Sequence, residues 1–420
     1  MLPPLGAVEA GLRRTTEAMA AELASPGGAT PGWSETDWQL ARAAAVIHGV
    51  SPLLAGLSTW AQPRWTRFLQ SQRRHVEIRH RRIAALLARI DADARAAGIA
   101  FVPLKGAALH AQGLYIPGDR PMADIDLLVH ESDAGSMGKL LQTVGYVHSF
   151  DHWRHRVFKP AHGVPPATLG EHCGTPVNIE LHTRIRERLP VVVVDITERI
   201  WSRERRAGKN SYSSNGALMS HLLLHAAGNI CGRNLRLLHL HDIALLARRM
   251  NPDDWELLCD NGDSWWAWPP LRLVSRYYRD AIPDTILTRL ECRCPPLLRA
   301  VSRHQTLTRV SCSAFWLQTL PGMEWCRSFG EAARCIRDRI KPPAEKLQER
   351  ADLVRTNFWL QGQTWSTASR KRWLLTRLTR RVPRIDTMYV VRMALEPATS
   401  AYRDDLDSTG IVNPADFGKA

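Results

Sequence analysis

Asp124 and Asp126 stand one residue apart in the run Ala123-Asp124-Ile125-Asp126-Leu127-Leu128-Val129. Alternation of carboxylate and apolar side chains predicts a strand on which both aspartates share one face, with Ile125 and Leu127 packing behind them. Two like charges side by side are costly unless a cation sits between them. Hard oxygen donors of this kind suit Mg²⁺ or Mn²⁺, ions that bind through a few carboxylates plus substrate phosphates. A third acid lies in Pro176-Val177-Asn178-Ile179-Glu180-Leu181-His182. This also reads as a strand, with Glu180 between apolar neighbours. Glu180 could share a metal with the aspartates or take a proton from an acceptor hydroxyl. Three carboxylates on neighbouring strands can hold two metals that assist an in-line phosphoryl displacement.

Upstream residues have the character of a phosphate site. Phe101-Val102-Pro103-Leu104 is a short apolar run expected to be a buried strand, and Lys105-Gly106-Ala107-Ala108-Leu109 turns from it into a helix. Gly106 would let the backbone approach a ligand, and a helix N-terminus offers N–H groups to an anion. Lys105 adds a point charge, and Arg120, just before the aspartate strand, could fork onto phosphate oxygens.

Leu104-Lys105-Gly106, Arg120, Asp124 to Val129 and Glu180-Leu181-His182, in that order, resemble the pattern of bacterial nucleotidyltransferases of the DNA polymerase β-like superfamily. The nearest resemblance is to the uncharacterised nucleotidyltransferase family 5. It runs from about residue 35 to 280 and takes in Thr36-Asp37-Trp38, His48-Gly49-Val50, His221 to His225 and His241-Asp242-Ile243. The superfamily's usual Gly-Ser pair is Gly106-Ala107 here, and the Lys-Gly form is also similar to toxin nucleotidyltransferases that carry Lys-Gly-Gly-Thr. The resemblance implies a transfer of nucleoside monophosphate from an NTP to an acceptor hydroxyl or phosphate, with release of pyrophosphate. On that reading Asp124, Asp126 and Glu180 are catalytic and hold Mg²⁺ or Mn²⁺. Lys105, Gly106, Ala107 and Arg120 cradle phosphates, and His182, His221, His225 and Asp242 face the cleft. The acceptor could be a small molecule, peptide, protein or RNA. Two alternatives stay open: a catalytically degenerate fold used as a basic RNA- or peptide-binding module, and a toxin-type tRNA nucleotidyltransferase.

The chain has 420 residues, 45% hydrophobic and 23% charged, which is ordinary for a globular protein with a sizeable core. No apolar run reaches the roughly 18 residues of a membrane span, and Met1-Leu2-Pro3-Pro4 lacks the basic and apolar regions of a secretory signal. The eight cysteines include no Cys-x-x-Cys pair, so reduced thiols in a cytoplasm are expected. A net charge of +15 favours anionic partners. Much of the excess lies in the C-terminal third, where Arg370-Lys371-Arg372 and Arg380-Arg381 are interleaved with Trp373 and Leu378. That run reads either as a solvated helix face or as a docking surface for RNA, an acidic substrate or a membrane.

These residues need a scaffold, and the pattern predicts an α+β fold: a small mixed-sheet core flanked by helical regions. Residues 1–98 form an N-terminal helical region, with Ser34 or Thr36 as a helix cap and one long helix from Arg64 to Ala97. Residues 99–205 form the sheet core, including strands from Tyr146 to Phe150 and Arg154 to Lys159. Residues 206–335 form a helical domain with helices over Ala217–Ile230 and Leu235–Met250, and 336–420 a basic helical C-terminal region. His221 and His225 lie one turn apart, as packed or substrate-facing histidines of an amphipathic helix. Trp265, Trp266 and Trp268 pack a core between helices or stack a base.

Overall fold

The carboxylate strands lie at the centre of a six-stranded mixed sheet. A computed structural model of the chain describes residues 3–163, 166, 168–259, 264–316, 322–340 and 384–396. The strands are β1 (Ala100–Pro103), β2 (Asp124–Val129), β3 (Tyr146–Asp151), β4 (His155–Pro160), β5 (Asn178–His182) and β8 (Gly208–Lys209), in the order β3-β4-β5-β2-β1-β8. A separate ribbon pairs β6 (Arg186–Arg188) with β7 (Val193–Asp195). β2 runs antiparallel to β1 and parallel to β5, while β4 runs antiparallel to β5.

Before the sheet come α1 (Leu5–Ala24), α2 (Glu35–His48), α3 (Ser51–Leu57) and α4 (Pro63–Ala96). Ser34 caps α2 by accepting the Asp37 N–H at 3.2 Å. Gly49 ends that helix at φ 67°, a left-handed conformation that favours glycine. The 34-residue α4 starts with proline at its first position and ends just before Gly98. Within and after the sheet come α5 (Lys105–Ala111), α6 (Ala134–Thr143), α7 (Thr197–Ile200), α8 (Asn215–Gly232) and α9 (Leu237–Ala247).

The period of two in β2 and β5 sorts their side chains between two cores. Ile125, Leu127, Val129, Ile179 and Leu181 face Ile83 and Ile90 of α4 and Met137 and Leu141 of α6. The other face carries Asp124, Asp126 and Leu128 on β2 with Glu180 and His182 on β5. Leu128 enters a second, larger core built from α1, α2, α8, α9 and the helices after them. Helices from both ends of the chain therefore cover the carboxylate face from the Leu128 end and leave its start open. Truncating a side chain such as Leu127 (0% exposed) would cost about 2–5 kcal/mol and loosen the platform beneath Asp126.

The α+β architecture expected from the sequence is the one observed. Trp265, Trp266 and Trp268 are buried in the helical core, so packing is their role. Among the described residues no single helix is long and apolar enough to cross a membrane. The basic run from Arg370 lies outside the described residues up to Arg384. That residue is buried, and its guanidinium donates to the Arg233 carbonyl at 2.5 Å.

Candidate active site

In the ladder between β2 and β5, Asp126 stands directly opposite Glu180 and Asp124 opposite Asn178. Cross-strand neighbours on one face lie close enough for their side chains to meet. Three of the sequence-predicted residues thus converge on one face, and His182, two residues after Glu180, joins them. Its Nε2 donates to Asp126 Oδ1 at 2.9 Å and lies 3.6 Å from Glu180 Oε2. Lys105 Nζ donates to the same Asp126 oxygen at 2.8 Å.

Lys105 reaches Asp126 through a strained backbone. Leu104 N–H donates to the Asp126 carbonyl at 2.9 Å, and Lys105 then takes φ 44°, left-handed for a residue with a Cβ. Such conformations persist where surrounding contacts over-determine them, and they cluster at functional sites. Here the Lys105 N–H donates to Tyr212 Oη at 3.3 Å, and Tyr212 in turn bonds His221 Nδ1 at 2.8 Å. The next residue must be glycine for a different reason. A Cβ on Gly106 would lie 2.2 Å from Arg120 Nη1 and 3.0 Å from Met122 Cγ. Gly106 therefore makes room for the Arg120 guanidinium, where the sequence suggested room for a ligand.

Arg120 lies near enough to Asp124 to feel its charge, but its hydrogen bonds go elsewhere. Its Nε and Nη2 fork onto Asp242 Oδ1 and Oδ2 at 2.8 and 2.7 Å, and Tyr115 Oη adds a bond to Oδ1 at 2.7 Å. Its Nη1 donates to the Pro121 carbonyl at 3.3 Å. Arg120 and Asp242 are 7% and 1% exposed, so this pair is sealed in the interior and joins the sheet domain to α9. The guanidinium expected to contact phosphate and the carboxylate expected near the cleft here neutralise each other. A bidentate guanidinium–carboxylate match satisfies both groups at once.

Electrostatics divide the acids. Burial pushes the Asp124 carboxyl up to about 7, and the charges of Asp126 and Glu180 push the same way. For Asp126, burial alone would raise the carboxyl, but the Lys105 charge and the His182 hydrogen bond hold it well below the ordinary range. Burial would lower the Lys105 and His182 ionisations, yet the neighbouring acids raise both. Burial lowers His221 to about 3 and holds His225 far below its ordinary value.

A cleft of about 220 Å³ opens in front of this group, lined by Lys105, Asp124, Glu180, His182, His221 and His225 together with Arg154, His155, Arg186 and Glu187. Sequence reasoning did not single out Arg154, His155, Arg186 or Tyr212. His155 stands opposite His182 in the β4–β5 ladder, and Arg154 precedes it. Arg154 pairs with Glu187 at 2.8 Å, and Arg186 donates to the Trp153 carbonyl at 2.7 Å. For Arg154 and His155 only the sheet order reveals the placement, since the strand signal in 154–159 carries no mark of which strand it joins. A wider cavity of about 520 Å³ lies past the ends of β2 and β5, around His130, Arg184 and Trp201, away from the carboxylates.

The donor set fits a divalent cation. Asp124 and Glu180 are partly exposed acids beside a buried one, and His155, Glu180 and His182 offer ligand atoms all within 4.8 Å of one another. Among the described residues His155 Nδ1 is buried without a hydrogen-bond partner.

A family model described as an uncharacterised nucleotidyltransferase matches residues 34–281, more than half of the chain. No curated protein and no solved structure matches it.

Proposed function

Since this chain belongs to the uncharacterised nucleotidyltransferase family and is a transferase of nucleotidyl groups, we propose that its reaction takes place in the Lys105–Asp126–Glu180 cleft and depends on a divalent metal. Asp124, Asp126 and Glu180 would hold Mg²⁺ or Mn²⁺, which neutralises the triphosphate and polarises the phosphorus under attack. The Lys105 ammonium, already aimed at Asp126, turns toward phosphate oxygens when the nucleotide enters. Arg154 and Arg186, which also line the cleft, add charge for the β- and γ-phosphates. An acceptor oxygen attacks the α-phosphorus, the bond to the bridging oxygen breaks, and pyrophosphate leaves. The acceptor's proton passes to a carboxylate of the set. Positioning and charge neutralisation supply most of the rate, as in phosphoryl transfer generally. Arg120 and Asp242 act at a distance from the reacting atoms by holding the Lys105-Gly106 turn in place.

One observation carries this reading: Asp126 lies opposite Glu180 in ladder register, with Lys105 Nζ at 2.8 Å and a cleft in front. Calorimetry of NTP binding with Mg²⁺ tests it. Asp126→Ala should abolish the metal-dependent part of the affinity while circular dichroism stays native. Unchanged affinity in that variant would remove the carboxylates from the site.

A further inference from the structure

We propose that His155, Glu180 and His182 form a mixed nitrogen–oxygen ion site at the cleft wall that takes Mn²⁺, Co²⁺ or Zn²⁺ in preference to Mg²⁺. The proposal rests on the reading of Glu180 as an ion ligand and goes beyond it by naming the ligands and the class of ion.

Two of the three spacings come close to those of coordination around one centre. His155 Nδ1 lies 3.4 Å and His182 Nε2 3.6 Å from Glu180 Oε2. Two donors on an ion with bonds of about 2.1 Å lie about 3.0 Å apart at a right angle and about 3.4 Å apart at a tetrahedral one. The imidazole rings of His155 and His182 meet edge to face, inclined at 61° with centroids 4.9 Å apart, and the three ligand atoms all lie within 4.8 Å of one another. Among the described residues His155 Nδ1 is buried and has no hydrogen-bond partner, an arrangement that costs about 1–3 kcal/mol unless something fills it. An ion there would displace the proton that His182 Nε2 shares with Asp126. Imidazole nitrogen favours later first-row ions, whereas Mg²⁺ prefers oxygen and water.

A second histidine group shows what an unsuitable arrangement looks like. His75, His172 and Cys173 also cluster. There His75 Nδ1 accepts the Cys173 N–H at 3.2 Å and His172 Nδ1 accepts the Gly174 N–H at 2.9 Å. Each neutral ring then carries its proton on Nε2, the nitrogen left for an ion. His182 Nε2 also carries its proton, donated to Asp126, but among the described residues no backbone N–H holds its Nδ1, so the proton can move there, and His155 Nδ1 makes no hydrogen bond at all.

The test uses the full chain without nucleotide. Electron spin-echo spectroscopy of bound Mn²⁺ should show modulation from directly bound imidazole nitrogen. Calorimetry should give Co²⁺ an affinity about tenfold or more above that of Mg²⁺. His155→Phe and, as a variant that keeps polarity, His155→Gln should each weaken Co²⁺ by about tenfold or more and bring the two affinities together. Mn²⁺ bound without nitrogen modulation, equal Co²⁺ and Mg²⁺ affinities, or no ion bound at all would overturn the site. The wild-type spectrum decides the matter even if a variant does not fold. Titration of each NTP with Mg²⁺ separates this site from the transfer reaction. Nitrogen-bound Mn²⁺ with no NTP affinity would sink the placement of the reaction in the cleft and leave the ion site standing, and the converse result would sink the ion site alone.

Discussion

Asp126 and Asp242 are both buried aspartates held by a cation, and they do opposite things. Asp242 accepts three hydrogen bonds, two from Arg120 and one from Tyr115, and stands in a sealed interior. Asp126 accepts from Lys105 and His182, but Asp124 and Glu180 stand beside it and the group opens onto a cleft. The first cluster pairs each negative charge with a matching donor. The second has acids in excess of its cations, and the Asp124 carboxyl, raised first by burial, is raised further by that surplus. A buried charge that is fully paired fixes structure, whereas an incompletely paired one at an opening attracts a ligand.

The comparison breaks most directly on Arg120. Arg120→Met leaves Asp242 buried and unpaired, and urea unfolding should show a loss of about 3–5 kcal/mol. Asp126→Asn removes the acceptor of Lys105 and His182 but leaves Asp124 and Glu180 beside them, so the loss should be smaller, about 1–2 kcal/mol. Equal losses would erase the distinction. Arg120→Met combined with Asp242→Leu should recover most of the stability, because removing both partners leaves no orphaned charge.

Gly106→Ala comes next. Its Cβ would meet Arg120 Nη1 at 2.2 Å, so the guanidinium or the turn must shift, at a cost of about 1–3 kcal/mol by overpacking. Turnover should fall with it, because the same turn carries Lys105. Full activity with full stability would show that the turn adjusts freely and that Arg120 does not position it.

Lys105→Ala sharpens the contrast at the cleft. Triphosphate binding should weaken by about tenfold, about 1.4 kcal/mol, with little change for the nucleoside. Comparable losses for both ligands would point to collapse of the pocket.

The smallest effect is in the pH dependence of stability without metal. The Asp124 carboxyl is raised from 3.8 to about 7 by burial and its acidic neighbours. Its contribution is therefore present below pH 3.8 and is lost as pH rises through about 7. The Asp242 carboxyl, which burial alone would raise, is lowered by Arg120, so its contribution is present above pH 3.8 and is lost as pH falls further. Asp124→Asn should flatten the decline between pH 4 and 7, and Asp242→Asn should flatten the decline on the acid side. Melting curves across that range check both signs.

Local signals in the chain foretold much of this. Alternation in Asp124–Val129 and around Glu180 marked two strands and their polar face, Ser34 marked a helix start, and the Arg64–Ala97 pattern matched α4 at Pro63–Ala96. What escaped was contact between distant segments. Arg120 and Asp242 are 122 residues apart, and each alone looks like a ligand-binding charge. His155 gains its meaning only from β4 lying beside β5. The left-handed Lys105 was equally hidden, because nothing in a Lys-Gly pair says that lysine takes the positive φ.

The central claim is that nucleotidyl transfer occurs at the Asp126–Glu180 cleft. Its most direct test is incubation of the purified chain with each α-labelled NTP and Mg²⁺ or Mn²⁺, alone and with RNA, peptide or small-molecule acceptors, following pyrophosphate release and transfer of label. The account predicts metal-dependent transfer in the wild type that Asp126→Asn reduces on the order of 10³-fold while the protein remains folded. Transfer at the wild-type rate by folded Asp126→Asn would contradict it.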